Sequence, residues 1–276
     1  MRLISNIVVV AAFGFSLPLA GFAQQADQAS PISTEEADAP LWSQANAYYD
    51  AEEMAKSRED VLAEGGKQKT YYVLFNQFEA QSANGSDELY WNGQAWYGGD
   101  INKIWFKTEG RASLNSGDVE DAELQALYSR AIAPYWNLQA GVRHDFKPDS
   151  LDHAVVGIQG LAPYFFEVDV SAYLSTEGDV TARAELEYDL LLTQRLILQP
   201  RIEANFSAQD IPDRQIGAGL NTIDAGLRLR YEIKRQFAPY VGVEWQGSFG
   251  DTKTFIEAAG GETDRTVFVA GVRTWF

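Results

Sequence analysis

Residues 163–206 read PYFFEVDVSAYLSTEGDVTARAELEYDLLLTQRLILQPRIEANF, and they alternate strictly between apolar and polar side chains. Phe166, Val168, Val170, Ala172 and Leu174 are interleaved with Glu167, Asp169, Ser171 and Tyr173. After a turn, Ala182, Ala184, Leu186, Tyr188 and Leu190 alternate with Arg183, Glu185, Glu187 and Asp189. Leu196, Leu198, Ile202 and Phe206 then alternate with Arg195, Gln199, Arg201 and Glu203. A period of two is that of extended strand, with one apolar and one polar face. A water-soluble sandwich alternates too, but its polar face is rarely this densely ionic. Full charges on one face of three successive strands predict an enclosed polar lumen with the apolar face turned to lipid. The stretch therefore predicts an all-β fold, an antiparallel transmembrane β-barrel.

Outward from that stretch, the same pattern gives about twelve strands between residues 70 and 276. They lie near 71–82, 88–98, 101–114, 120–133, 135–147, 151–161, 164–175, 179–191, 194–207, 217–233, 237–249 and 264–276. Tilted membrane-spanning strands need ~10 residues each. The connections alternate as well. Even-numbered strands are followed by tight turns such as Gly98-Gly99-Asp100, Ala133-Pro134 and Ala162-Pro163. Odd-numbered strands are followed by longer polar links: SANGSD, NSGDVED, KPDS, STEGD, AQDIPDRQIGAG and GDTKTFIEAAGGETD. Short periplasmic turns opposite longer extracellular loops are the outer-membrane pattern, and the parity places both barrel ends on the periplasmic side. The inward faces also carry Lys103, Lys107, Glu109, Arg111, Arg143, Asp145, Asp224, Arg228, Arg230, Glu232 and Glu244.

Upstream, residues 1–23 combine Arg2, an apolar run over 7–19 and a Gly21-Phe22-Ala23 cleavage site, which reads as a secretory signal peptide. Residues 24–69 form an acidic linker that continues into a short periplasmic helix over about 51–63. Asp50 is placed to cap that helix, and Gly65 and Gly66 to end it. Residues 70–276 are the expected barrel.

The sequence has no Cys, so no disulfide framework or thiolate ligand is available. Its net charge of −17 argues against nucleic acid and against anionic lipid surfaces as partners, leaving outer-membrane lipid around the apolar face. No phosphate loop, zinc-protease motif or nucleophile elbow occurs. Ser150 near His153 is the nearest approach to a hydrolase pair, and it lies in a KPDS turn where Ser is common for conformational reasons. The chain is read as a non-enzyme.

Several stretches carry a family resemblance: AWYGGDINKIWFKTEG (95–110), LQALYSRAIAPYWNLQAGVRHDF (124–146), GIQGLAPYFFEVD (157–169), EYDLLLTQRLILQPRIEAN (187–205) and GLRLRYEIKRQFAPYVGVEW (226–245). From about residue 48 to 276 the chain resembles the copper resistance protein B family of bacterial outer-membrane barrels. The resemblance implies outer-membrane residence, copper-ion binding and a role in copper efflux or homeostasis beside periplasmic copper-handling proteins. Many members carry a Met- and His-rich N-terminal segment. Here residues 24–69 hold no His, and Met54 is their only Met. Any metal site is therefore expected in the barrel or its loops.

Two His are present, His144 and His153. His144 is in phase with Leu138 and Val142, on the outward face near the rim. His153 is in phase with Val155 and Gly157, on the inward face, where Asp145, joined by Asp152, would complete a nitrogen–oxygen set suited to copper(II) or zinc. Against this stands an ordinary hydrogen-bonded rim histidine. The lumenal carboxylates Glu185, Glu187 and Asp189, with Glu167 and Asp169, are the candidate cation path; Arg183, Arg195 and Arg201 are placed to pair with many of them. Two other readings follow from the same fold: a general small porin, and a structural barrel docking a periplasmic copper-handling protein.

Overall fold

The computed structural model describes residues 43–65, 68–83 and 86–276. The signal-peptide reading, residues 24–42 of the linker and the expectation that Gly66 helps end the helix lie outside these residues. The N-terminal unit holds a 3-10 turn, Ser43–Ala47, and an α-helix, Ala51–Glu64. Asp50 caps the helix: its Oδ1 accepts from the backbone N–H of Glu52 at 2.9 Å and of Glu53 at 3.1 Å. That satisfies two of the amides a helix start leaves unpaired.

The second unit is the barrel. Its strands are β1 Thr70–Ala83, β2 Ser86–Gly98, β3 Asn102–Ser113, β4 Val119–Ala133, β5 Trp136–Lys147 and β6 Leu151–Ala162. They continue as β7 Phe166–Ser175, β8 Val180–Glu187, β9 Leu190–Leu191 and β10 Leu196–Ser207. The remainder are β11 Gly219–Tyr231, β12 Phe237–Ser248 and β13 Asp264–Trp275. All pairs are antiparallel between chain neighbours, and β13 returns to β1 with Leu74 opposite Trp275 and Gln81 opposite Val269. The closing seam extends to Phe276, which exchanges two backbone hydrogen bonds with Val73. Closure leaves no open edge, as lipid demands, since each unpaired backbone group there costs several kcal/mol.

Thirteen segments make twelve barrel strands, because β8 and β9 are two pieces of one. Both pair with β10, across Glu187–Arg201 and across Leu190–Leu198. The break falls opposite Pro200. Tyr188 still donates to the Pro200 carbonyl at 3.1 Å, but Pro200 has no N–H to return. The expected continuous strand over 179–191 is interrupted there for that reason.

Side-chain direction follows the alternation. Val170, Leu174, Leu186, Ile202 and Phe206 are exposed on the outer surface, while Ser171, Tyr173, Glu187, Gln199, Arg201 and Glu203 are buried inside. Tyr71, Tyr97, Tyr128 and Tyr231 form an outward aromatic belt at the short-turn end, where such rings anchor to the interface. An apolar outer belt around an ionic interior places the barrel in a membrane, and barrels of this construction are those of bacterial outer membranes. No helix among the described residues is long and apolar enough to cross a membrane.

One connection differs from the sequence reading, and two of the long links carry structure of their own. SANGSD is not a long loop: β1 runs to Ala83 and β2 starts at Ser86, with only 84–85 between them. The link 249–263 contains a helix, Gly250–Ala258. The link 208–218 folds around a 3-10 turn, Pro212–Arg214, clasped by an Ile211–Ile216 bridge. Polarity marks a link as exposed but says little about whether it coils, turns or continues a hairpin.

Candidate functional site

Inside the barrel the charges are ordered into a packed layer and a vestibule. The layer is centred on Arg228 of β11, whose side chain is 0% exposed. Its Nε and Nη2 donate to the two carboxylate oxygens of Glu79 at 2.9 and 2.7 Å, and Nη2 also reaches Glu244 at 2.7 Å. Gly226, two residues earlier on the same face, makes room for this fork: a Cβ there would stand 3.1 Å from Glu244 Oε2. Beside it, Arg201 links Glu185 at 2.8 Å to Glu203 at 2.5 Å. Arg183 reaches across from β8 to Glu109 at 2.8 Å and Glu123 at 3.1 Å. Each charge is held by hydrogen bonds from the opposite sign, which is what makes a buried ionic core tolerable.

Glu79 and Glu123 were not among the residues singled out in the sequence. The signal for Glu123 is its alternation with Leu124 on β4. For Glu79 the alternation slips: Phe75 and Phe78 are both exposed, and Asn76 and Gln77 between them are both buried. The register of β1 shifts there. A bulge of this kind shifts the face on which later residues lie.

Towards the short-turn end the lumen opens into a cavity of about 310 Å³. Six carboxylates line it, those of Glu109, Glu123, Glu167, Asp169, Glu185 and Glu187, against two cations, Lys107 and Arg183. Lys107 pairs with Asp169. Arg183 and Arg201 pair with Glu109, Glu123 and Glu185 as above. Glu187 is 4% exposed, yet among the described residues no Lys or Arg forms an ion pair with it. It accepts only amide donors, Asn76 Nδ2 at 3.1 Å and Gln199 Nε2 at 2.5 Å. Directly opposite it in the β7–β8 register stands Glu167, exposed and likewise without an ion pair. Asp189 lies outside this pair and is taken by Arg230 at 2.6 Å. Arg195 sits in the exposed turn after β9, away from these strands' inner face.

The two histidines part company. His144 faces outward, its Nδ1 2.7 Å from Asp152 Oδ1 and its ring edge-on to Phe146. Asp152 therefore does not join His153, because consecutive strand residues point to opposite faces. His153 is 5% exposed and inward, with Nε2 3.0 Å from Asp145 Oδ2. Asp145 is also held by Arg143 at 2.5 Å and by Arg214 at 3.3 Å. Two guanidiniums on that carboxylate repel an incoming cation, so the rim pair is poorly suited to metal. The His153 Nδ1 has no hydrogen-bond partner, so Ser150 and His153 do not form a nucleophile–base pair. Among the described residues no three His, Cys, Asp or Glu are grouped to hold a metal ion.

Arg214 comes from the 208–218 link and ties it over the lumen at the loop-rich end. Gly217 N–H donates to Thr252 Oγ1 at 2.8 Å, joining the link to the helix Gly250–Ala258. Replacing Arg214 with alanine is expected to speed proteinase K cleavage within 208–218 several-fold. The unfolding midpoint should barely move, since Asp145 keeps Arg143 and His153 as partners when Arg214 is removed. Unchanged cleavage would show that the Ile211–Ile216 clasp holds the link alone.

Residues 69–276 match the family model described as copper resistance protein B precursor. Copper resistance protein B of Escherichia coli is 46% identical over 207 residues, 75% of this chain and 69% of that protein. A copper resistance protein B homolog of Pseudomonas syringae pv. tomato is 42% identical over 206 residues, 74% of this chain and 69% of that one. Among solved structures, the NanC porin covers 74% of this chain and 99% of its own at a TM-score of 0.48 and 11% identity. The KdgM porin covers 75% and 99% at 0.45 and 11%.

Proposed function

Given that the chain belongs to the copper resistance protein B family, we propose that it serves copper resistance by admitting copper ions to the vestibule at the short-turn end of its lumen, and so aids copper efflux or homeostasis at the outer membrane. One observation carries this reading: six carboxylates face two cations around a single cavity, and Glu187 and Glu167 stand opposite each other with no Lys or Arg in an ion pair with either among the described residues. Like charges opposed across a strand pair destabilise it, and a cation between them removes that cost. The geometry suits passing an ion on more than keeping it, since no ready-made metal cage is present among the described residues. A general small porin fits less well, because the Glu79–Arg228–Glu244 layer is fully buried inside the lumen.

The ion would come from a periplasmic copper-handling protein presented to the same mouth. Tyr135, which lines the cavity, and the neighbouring turn residues Tyr164 and Phe165 are 75–82% exposed there. All three hold a positive φ of 67°, a conformation that non-glycine residues adopt at a cost and that concentrates at functional sites.

The test is the Glu185→Gln/Glu187→Gln double variant in cells that lack the native gene. Copper tolerance is expected to fall at least several-fold, while the barrel still migrates as a folded, heat-modifiable band at wild-type abundance. Full tolerance from a folded double variant would remove the vestibule from the mechanism.

A further inference from the structure

The loop-rich end of the lumen is spanned by the 208–218 link. The link rises between β10 and β11, and its Arg214 bonds to Asp145 of β5, four strands away in the order β5-β6-β7-β8-β10. That reach takes it across the mouth. On its other side the link meets the helix Gly250–Ala258, where a Cβ on Gly217 would stand 2.6 Å from Asp251 Cβ. The hold on β5 is slender. Arg214 is 3.3 Å from Asp145 Oδ2, an oxygen that His153 Nε2 also reaches at 3.0 Å.

How strongly Asp145 attracts Arg214 depends on its other arginine. Arg143 donates through Nε to Asp145 Oδ1 at 2.5 Å and places Nη2 2.8 Å from Glu123 Oε2. Its guanidinium lies over the Tyr173 ring, 4.8 Å from the centroid, which holds it between the two carboxylates. Glu123 is 3% exposed and lines the vestibule. One cation is therefore shared between a carboxylate of the vestibule and the carboxylate that holds the link. Beyond Glu123 the series continues through Arg183 to Glu109, both of which line the vestibule as well. Charges joined in one network do not act independently. Arg143 turned wholly onto Asp145 cancels the charge that attracts Arg214. Without Arg143, that charge falls to Arg214 and His153 alone.

We infer that the 208–218 link is a lid over the loop-rich mouth, and that its latch is set from the vestibule through the series Glu123–Arg143–Asp145–Arg214. Neutralising Glu123 frees Arg143 for Asp145 and loosens the lid. A cation that neutralises Glu123 from the vestibule acts with the same sign, so a charge arriving at one end unlatches the other. The coupling belongs to these four side chains and stands whichever ion the vestibule admits.

Proteinase K cleavage within 208–218, measured on the full chain folded in lipid vesicles, reads the latch. Cutting tracks the open population when the lid opens and closes faster than it is cut. Glu123→Gln is expected to speed cleavage at least about three-fold and Arg143→Met to slow it at least about two-fold, effects within the range of couplings inside one ion-pair network. Both substitutions break a buried pair, so a purely structural role speeds cleavage in both. Opposite signs are what the latch requires. The double variant Glu123→Gln/Arg143→Met removes the pair together and should return to within about two-fold of wild type. Unchanged or slower cleavage in Glu123→Gln overturns the inference, as does unchanged or faster cleavage in Arg143→Met. A double variant cut as fast as Glu123→Gln overturns it too, since Glu123 then acts without Arg143. Rates are scored on heat-modifiable, folded barrel only; where one single variant fails to assemble, the sign of the other decides with the double variant.

Discussion

Arg228→Met is expected to cost the barrel about 3–5 kcal/mol of unfolding free energy, the range for removing one partner from a buried ion pair. Arg228 is the sole cation bonded to both Glu79 and Glu244 among the described residues, and both carboxylates are at least 95% buried. Its loss strands two negative charges in a space that water does not reach. The pairs themselves carry little net stability, because desolvating three charges offsets most of their attraction. The large effect arises from breaking the set. Accordingly, adding Glu79→Gln and Glu244→Gln to Arg228→Met is expected to recover most of the loss. Urea unfolding in lipid vesicles measures both. A single-variant loss under about 1 kcal/mol would mean that solvent enters the layer and that the lumen is open.

The second large effect belongs to the outer face. Ile202 is 43% exposed at the middle of β10, between Arg201 and Glu203, which are 5% and 4% exposed. An arginine at position 202 meets hydrocarbon, at about 2–4 kcal/mol near the bilayer midplane. The same change at Phe206, one turn of the pattern from the strand's loop-side end, should cost only about 0–1 kcal/mol, since the penalty falls towards the interface. The same unfolding assay compares the two. Equal costs would contradict the position of the apolar belt.

Much of this molecule was legible before any coordinates, because the physics behind it is local. A strand's side chains alternate by covalent geometry, so Val170, Leu186 and Ile202 had to share one face and Glu187, Arg201 and Glu203 the other. Once one face is apolar and the other ionic, only closure in a membrane satisfies both. The helix cap at Asp50 was equally local, as was the inward and outward placement of His153 and His144. Which charges meet was not local. Arg228 and Glu79 are 149 positions apart, and their contact depends on the seam between β1 and β13 and on a bulge near Phe75 that re-aims the residues after it. Alternation specifies that a charge faces the lumen, but strand tilt and stagger decide what stands opposite. For the same reason the sequence shows a lumen lined by both signs of charge but not which of them pair. Tertiary structure alone assigns Arg201 to Glu185 and Arg230 to Asp189 and leaves Glu187 facing Glu167 without an ion pair, because register and side-chain reach between neighbouring strands decide which of several nearby charges meet.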